Sequence, residues 1–156
     1  MKRLILPLLL ALSGCSSINP SGDILPPEIN SYIPIDNYSF VLINESETVN
    51  SAVANESGGY TRTVDPDEAI AGVLLKMGVI RIYETPDTNL DKVALVSYGV
   101  SGTRNIGLMG AYSQEVTIVI REVNSTNLIY QCSAEGIGST EADDIRNAIS
   151  SCLSGL

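Results

Sequence analysis

Apolar and polar positions along the chain fall into short apolar runs and two stretches of helical period, and this pattern predicts the elements of the fold. Residues 38–44 (Tyr-Ser-Phe-Val-Leu-Ile-Asn) have the length and composition of a buried strand. Further on, Ile70, Val73, Leu74 and Met77 recur at helical spacing. They follow Asp65-Pro66-Asp67-Glu68, which offers a capping carboxylate, a proline at the first helical position and a Glu three residues after the cap. Gly78 ends that helix. Strands are predicted at 79–83, 93–100, 115–123 and 128–134, with a turn signal at 85–89 and Asn124-Ser125-Thr126-Asn127 as the hairpin turn of the last pair. A second helix is capped by Ser139 or Thr140, carries Glu141, Asp143 and Asp144 in its first turn, and aligns Ala142, Ile145, Ala148, Ile149, Cys152 and Leu153 in one apolar stripe. The polar stretch 45–63, broken by Gly58-Gly59, reads as a loop holding a short helix or hairpin. The sum is an α+β domain, an antiparallel sheet of about five strands with two amphipathic helices packed on one face.

The N-terminus has a different character. Lys2 and Arg3 precede an apolar run over 4–12, which is far short of the roughly 20 residues a membrane-spanning helix needs and has the layout of a secretory signal. It closes in Leu12-Ser13-Gly14-Cys15, which resembles the lipobox of bacterial lipoproteins. Small residues at 13 and 14 would also suit an ordinary signal peptidase, but Cys15 stands where lipidation requires a thiol. The resemblance implies removal of residues 1–14 by cleavage between Gly14 and Cys15, a diacylglycerol thioether on the Cys15 sulfur, and acylation of the new amino group by a palmitate-type chain. At roughly 0.8 kcal/mol per buried methylene, two or three such chains anchor a protein where one would not. Ser16 and Ser17, rather than Asp, after the cysteine imply the outer membrane of a Gram-negative cell, with the protein facing the periplasm.

Residues 15–37 read as the lipidated cysteine and a tether. Pro20, Pro26, Pro27 and Pro34 forbid a helix or a central strand. Ile24, Leu25, Ile29, Tyr32, Ile33 and Ile35 are more apolar surface than a spacer needs, so part of the tether is expected to pack on the domain or a partner. Residues 38–156 then form one domain of ordinary size.

Charge and cysteine use narrow the chemistry. Removing residues 1–14 takes Lys2 and Arg3 away and moves the net charge from −9 to about −11. A field of that sign repels nucleic acid and anionic lipid, and favours cationic partners or none. With Cys15 assigned to lipid, Cys132 and Cys152 are a candidate disulfide in an oxidising compartment, stapling the last helix to the last strand. The sequence contains no histidine, which removes the Ser-His-Asp and Cys-His constellations, His-based zinc sites and the commonest general base. The acidic clusters 65–68 and 141–144 lack the spacing of a calcium loop and sit where helix dipoles favour negative charge. Gly99-Val100-Ser101-Gly102-Thr103 is not a nucleophile elbow. Gly136-Ile137-Gly138 opens onto an acidic helix start, which suits a tight connection and not a phosphate. No catalytic residue, metal or cofactor is expected. The uncharged run 105–111, with Ile106, Leu108 and Met109 among glycines, is a candidate contact loop for a partner or a lipid surface.

The helix ending in Leu74-Leu75-Lys76-Met77-Gly78, the segment 91–98 and the hairpin 116–120 to 128–131 together resemble a family of small bacterial lipoprotein domains of unknown function. That resemblance implies no activity. The expectation is a non-enzymatic, lipid-anchored binding or structural module whose partners are the membrane, an envelope protein or a cationic protein, and not nucleic acid. The alternative is an acidic inhibitor of a cationic enzyme such as a lysozyme.

Overall fold

The computed structural model describes residues 24–55, 58–87, 89–106 and 112–156. In chain order these form β1 (Glu28–Ser31), β2 (Phe40–Ile43), β3 (Val49–Asn55), β4 (Gly58–Val64), α1 (Pro66–Lys76), β5 (Ile80–Ile82), β6 (Val93–Asn105), β7 (Tyr112–Glu122), β8 (Leu128–Gly136) and α2 (Glu141–Leu153). Single 3-10 turns lie at Ile35–Asn37 and Leu90–Lys92.

The class is α+β, but the sheet is not the antiparallel one of about five strands that the pattern suggests. Six strands form a mixed sheet in the order β1-β8-β7-β6-β2-β5, and β3 with β4 makes a separate two-stranded hairpin. The difference lies at β2, which runs parallel to both neighbours, Val41 facing Arg81 on β5 and Ala94 on β6. Parallel strands need a crossover, and the segment holding α1 supplies it between β2 and β5. Local periodicity does not register this, because an apolar run such as Phe-Val-Leu-Ile reads alike in either direction.

One face of the sheet packs on the helices. Val41 and Ile43, Ala94 and Val96, Val116, Ile118 and Ile120, and Tyr130, Cys132 and Ala134 are buried at alternate positions of β2, β6, β7 and β8. They meet Ile70 and Leu74 of α1 and the whole expected stripe of α2. The β3–β4 hairpin lies against α2, where Ala142 N–H donates to the Ser51 hydroxyl at 3.0 Å and Arg146 donates to the Thr63 carbonyl at 2.7 Å.

The helix ends follow their sequences with one exception. α1 closes in a Schellman motif: Val79 N–H donates to the Leu74 carbonyl and Gly78 N–H to that of Leu75, with Gly78 at φ +86° and Val79 buried. Thr140 caps α2, its hydroxyl accepting from Asp143 N–H at 3.1 Å. Asp65 stands at the N-cap of α1, yet its carboxylate accepts the Thr48 hydroxyl instead of a helix N–H. Glu68, expected to complete a capping box, pairs with Arg81 at 2.6 Å. The β7–β8 turn manages without glycine: Thr126 takes φ +59°, and Glu122 accepts from Ser125 Oγ and Asn127 Nδ2.

The proline-rich stretch is fastened to the domain mainly through its backbone, and of its six large apolar residues only Ile35 is fully buried. β1 pairs antiparallel with β8, Ile29 facing Cys132, and Ile35 is buried. It is an edge strand, the one place in a sheet that tolerates neighbouring prolines.

Candidate functional site

The sheet has two unequal ends. β2 stops where Ile43 pairs with Val96, whereas β6 continues to Asn105 opposite Tyr112. The far end of the β6–β7 ribbon is also where the chain enters the domain. Leu25 N–H donates to Glu135 Oε2 at 3.1 Å, and the same carboxylate receives Arg104 Nε at 2.6 Å and Nη2 at 2.5 Å. This two-point guanidinium clasp, on a carboxylate only 8% exposed, is the geometry in which an ion pair is strongest. The Arg104 hydrogen bonds hold the Glu135 carboxyl below the usual carboxylate range. Its contribution is therefore present above the unfolded-state value and is lost as pH falls through the folded one. A shallow cleft between Leu25, Pro26 and Glu28 on one side and Glu115, Ser133 and Glu135 on the other marks where the tether crosses the sheet.

A second feature lies at the start of α2. Gly136 and Gly138 bring β8 into direct contact with the helix backbone. Beside them Asp144 is 3% exposed, and its Oδ1 has no hydrogen-bond partner. Burial raises the Asp144 pKa, and the nearby Asp143 and Glu141 charges add to this against a hydrogen bond from the Gly138 backbone. A carboxyl whose folded pKa is raised costs stability when ionised, and that cost fades as pH falls through the folded value and is gone below the unfolded one. Asp144→Asn should therefore raise the unfolding free energy at pH 7, read from thermal melts, by on the order of 1 kcal/mol, and the advantage should disappear in acid. An equal advantage at both pH values, or a loss at pH 7, contradicts this.

The acidic clusters are otherwise engaged. Asp67 accepts from Ser46 Oγ at 2.8 Å and pairs with Arg81 at 2.8 Å, while Glu68 takes the other arm of that guanidinium. Asp143 pairs with Arg146 at 3.2 Å. Arg81 also stacks on the Tyr83 ring, 4.8 Å from its centroid. Among the described residues no group of three His, Cys, Asp or Glu is placed to hold a metal ion.

Of the residues singled out by sequence, Cys132 and Cys152 are joined in a disulfide with a Cα–Cα distance of 5.6 Å, between the last strand and the last helix and completely buried. Gly14, Cys15, Leu108 and Met109 lie outside the described residues, and Ile106, just past β6, is half-buried. One surface lies apart from all of these residues. The sheet face away from the helices carries Phe40, Leu42, Ile80, Ile82, Leu95 and Val119, all at least partly exposed. β2 sits between two parallel partners, a setting normally covered on both faces. The available signal was the unbroken apolar runs at 40–43 and 93–96, where a one-sided strand would alternate.

No protein-family model matches the chain, and a search of curated proteins finds no relative. Solved structures do resemble it. A PelC variant dodecamer from Paraburkholderia phytofirmans, in space group C2, superposes with a TM-score of 0.50 at 19% identity, over 82% of this chain and 93% of that one. A PelC dodecamer from the same organism in space group P6 gives a TM-score of 0.44 at 12% identity, over 83% and 91%. At 19% identity, what the first of these has in common with this chain is the fold.

Proposed function

We propose that the chain is a non-enzymatic, lipid-anchored module of the bacterial outer membrane that faces the periplasm and takes part in an envelope assembly. The use of cysteine carries this reading. Cys132 and Cys152 bond to each other, which accounts for two of the three cysteines and leaves Cys15, directly after Leu12-Ser13-Gly14, as the remaining thiol. A buried disulfide fits the oxidising compartment that a signal of this kind addresses. The likeness to PelC, seen as a dodecamer, supports a module that works as an assembly of copies, by analogy of fold. The apolar positions on the helix-free face of the sheet offer such an assembly a surface.

The test is expression in a Gram-negative host with labelled palmitate, followed by crosslinking in intact cells, with Cys15→Ala alongside. The native chain should carry the label, fractionate with outer membrane and yield a ladder of crosslinked copies or a specific envelope partner. The variant should lose both label and membrane. A variant that stays in the membrane fraction overturns the anchor. Salt-sensitive capture of a basic enzyme such as a lysozyme, with no envelope partner, would shift the reading to the inhibitor.

A further inference from the structure

We infer that the domain stands on the lipid surface by one end of its sheet, the end where β6 and β7 meet, with Ile24, Leu25 and Tyr112 turned to the bilayer. This rests on the acyl anchor at Cys15 proposed above; what it adds is the orientation and the residues in contact.

The reach of the chain selects the end. Leu25 is fixed by Glu135, which lies across the sheet from Glu115 and Gly102. Nine peptide units separate Cys15 from Ile24, a reach of about 30 Å at full stretch. From the level of Gly102 back to Val93, where β6 begins, is nine residues of strand, again about 30 Å. A tether bringing the opposite end to the membrane would be spent merely in running the length of the sheet. Leaving from the β6–β7 end, it has slack.

Surface chemistry agrees with that choice. Ile24 is 49% exposed, Leu25 43% and Tyr112 44%; all three lie toward this end of the sheet, Leu25 at the cleft beside Glu115 and Glu135 and Tyr112 beside Ile137 and Gly138 ahead of α2. Tyrosine suits the headgroup level, with an apolar ring and a polar hydroxyl. The guanidinium of Arg104 is engaged by Glu135, while Glu115 and Glu141 add negative charge nearby. The surface that fits is therefore zwitterionic, and the contact is too small to hold without acyl chains. The exposed Leu75, Met77 and Ile80, near the opposite end, stay clear of the bilayer.

The chain has no tryptophan, so a single one reports on its own surroundings. The experiment uses the lipidated full chain in phosphatidylcholine vesicles, with and without bromine on the acyl chains, comparing Tyr112→Trp with Leu75→Trp. Fluorescence of Tyr112→Trp should fall about twofold with brominated lipid, and that of Leu75→Trp should not change. Equal quenching at both sites, the reverse order, or quenching at neither overturns the inference. An emission shift of Tyr112→Trp that follows protein concentration but ignores bromine also overturns it, and assigns that end to a second copy. Failure of the protein to float with vesicles would sink the anchor itself, and this orientation with it; flotation without quenching sinks the orientation alone.

Discussion

Gly136→Ala should cost about 3 kcal/mol or more, a large share of the stability of an ordinary domain. A Cβ at this position would lie 1.8 Å from the Asp144 carbonyl oxygen and 2.5 Å from the Ala148 nitrogen. Both are backbone atoms of α2, so no rotamer change relieves the clash and the helix itself must move. Its stripe is packed throughout: Ala142, Ala148 and Cys152 show no exposed surface. Lifting the helix off β8 would open that layer along its length. Gly99→Ala is the matched control, since a Cβ there meets nothing within 4 Å. Urea unfolding followed by circular dichroism should place Gly99→Ala within about 0.5 kcal/mol of native and Gly136→Ala far below it. Near-equal midpoints would mean that the helix is not seated on β8 as described.

The disulfide is the second large term. Cys132 and Cys152 are 20 residues apart, and the chain-entropy model gives about 3 kcal/mol for closing a loop of that size. Replacing both with alanine should lower the unfolding free energy by that amount and make it indifferent to reductant. The native chain, reduced while unfolded, should fall to the same level. A native midpoint that thiol reagents leave unmoved would show that the bond contributes nothing. Because the bond joins the final helix to the sheet, hydrogen exchange along α2 should rise first on reduction.

These two sites differ in how plainly the sequence announces them. The cysteine pair follows from counting, once Cys15 is assigned to lipid. Gly136 is legible only as part of a glycine-flanked connection, because the atoms it makes room for belong to residues eight and twelve positions away. The two helices, the β7–β8 hairpin and the packing of α2 rest on local spacing, and local spacing finds them. The parallel setting of β2 depends on a crossover, which no window of residues contains. For β3 and β4 the pattern leaves a short helix and a hairpin both open: along β4 only Val64 is buried, so neither face carries an apolar period. β1 is hidden by the prolines around it, and all four of its residues are exposed. What pairs it to β8 is backbone hydrogen bonding, which leaves no trace in side-chain pattern. The contact surface proposed at the β6–β7 end is likewise invisible in one dimension, since it unites residues 24 and 25 with residue 112.

The fastening of β1 has a mechanical side. Tension on residues ahead of Ile24 reaches the Glu135–Arg104 clasp first, through the Leu25 N–H. Behind it stand four antiparallel residue pairs, Glu28 with Ser133 through Ser31 with Tyr130. A pull along the strand strains all four pairs together, whereas a pull across it opens them singly. The domain is thus braced against load along the length of its sheet and yields by peeling when the load comes from the side.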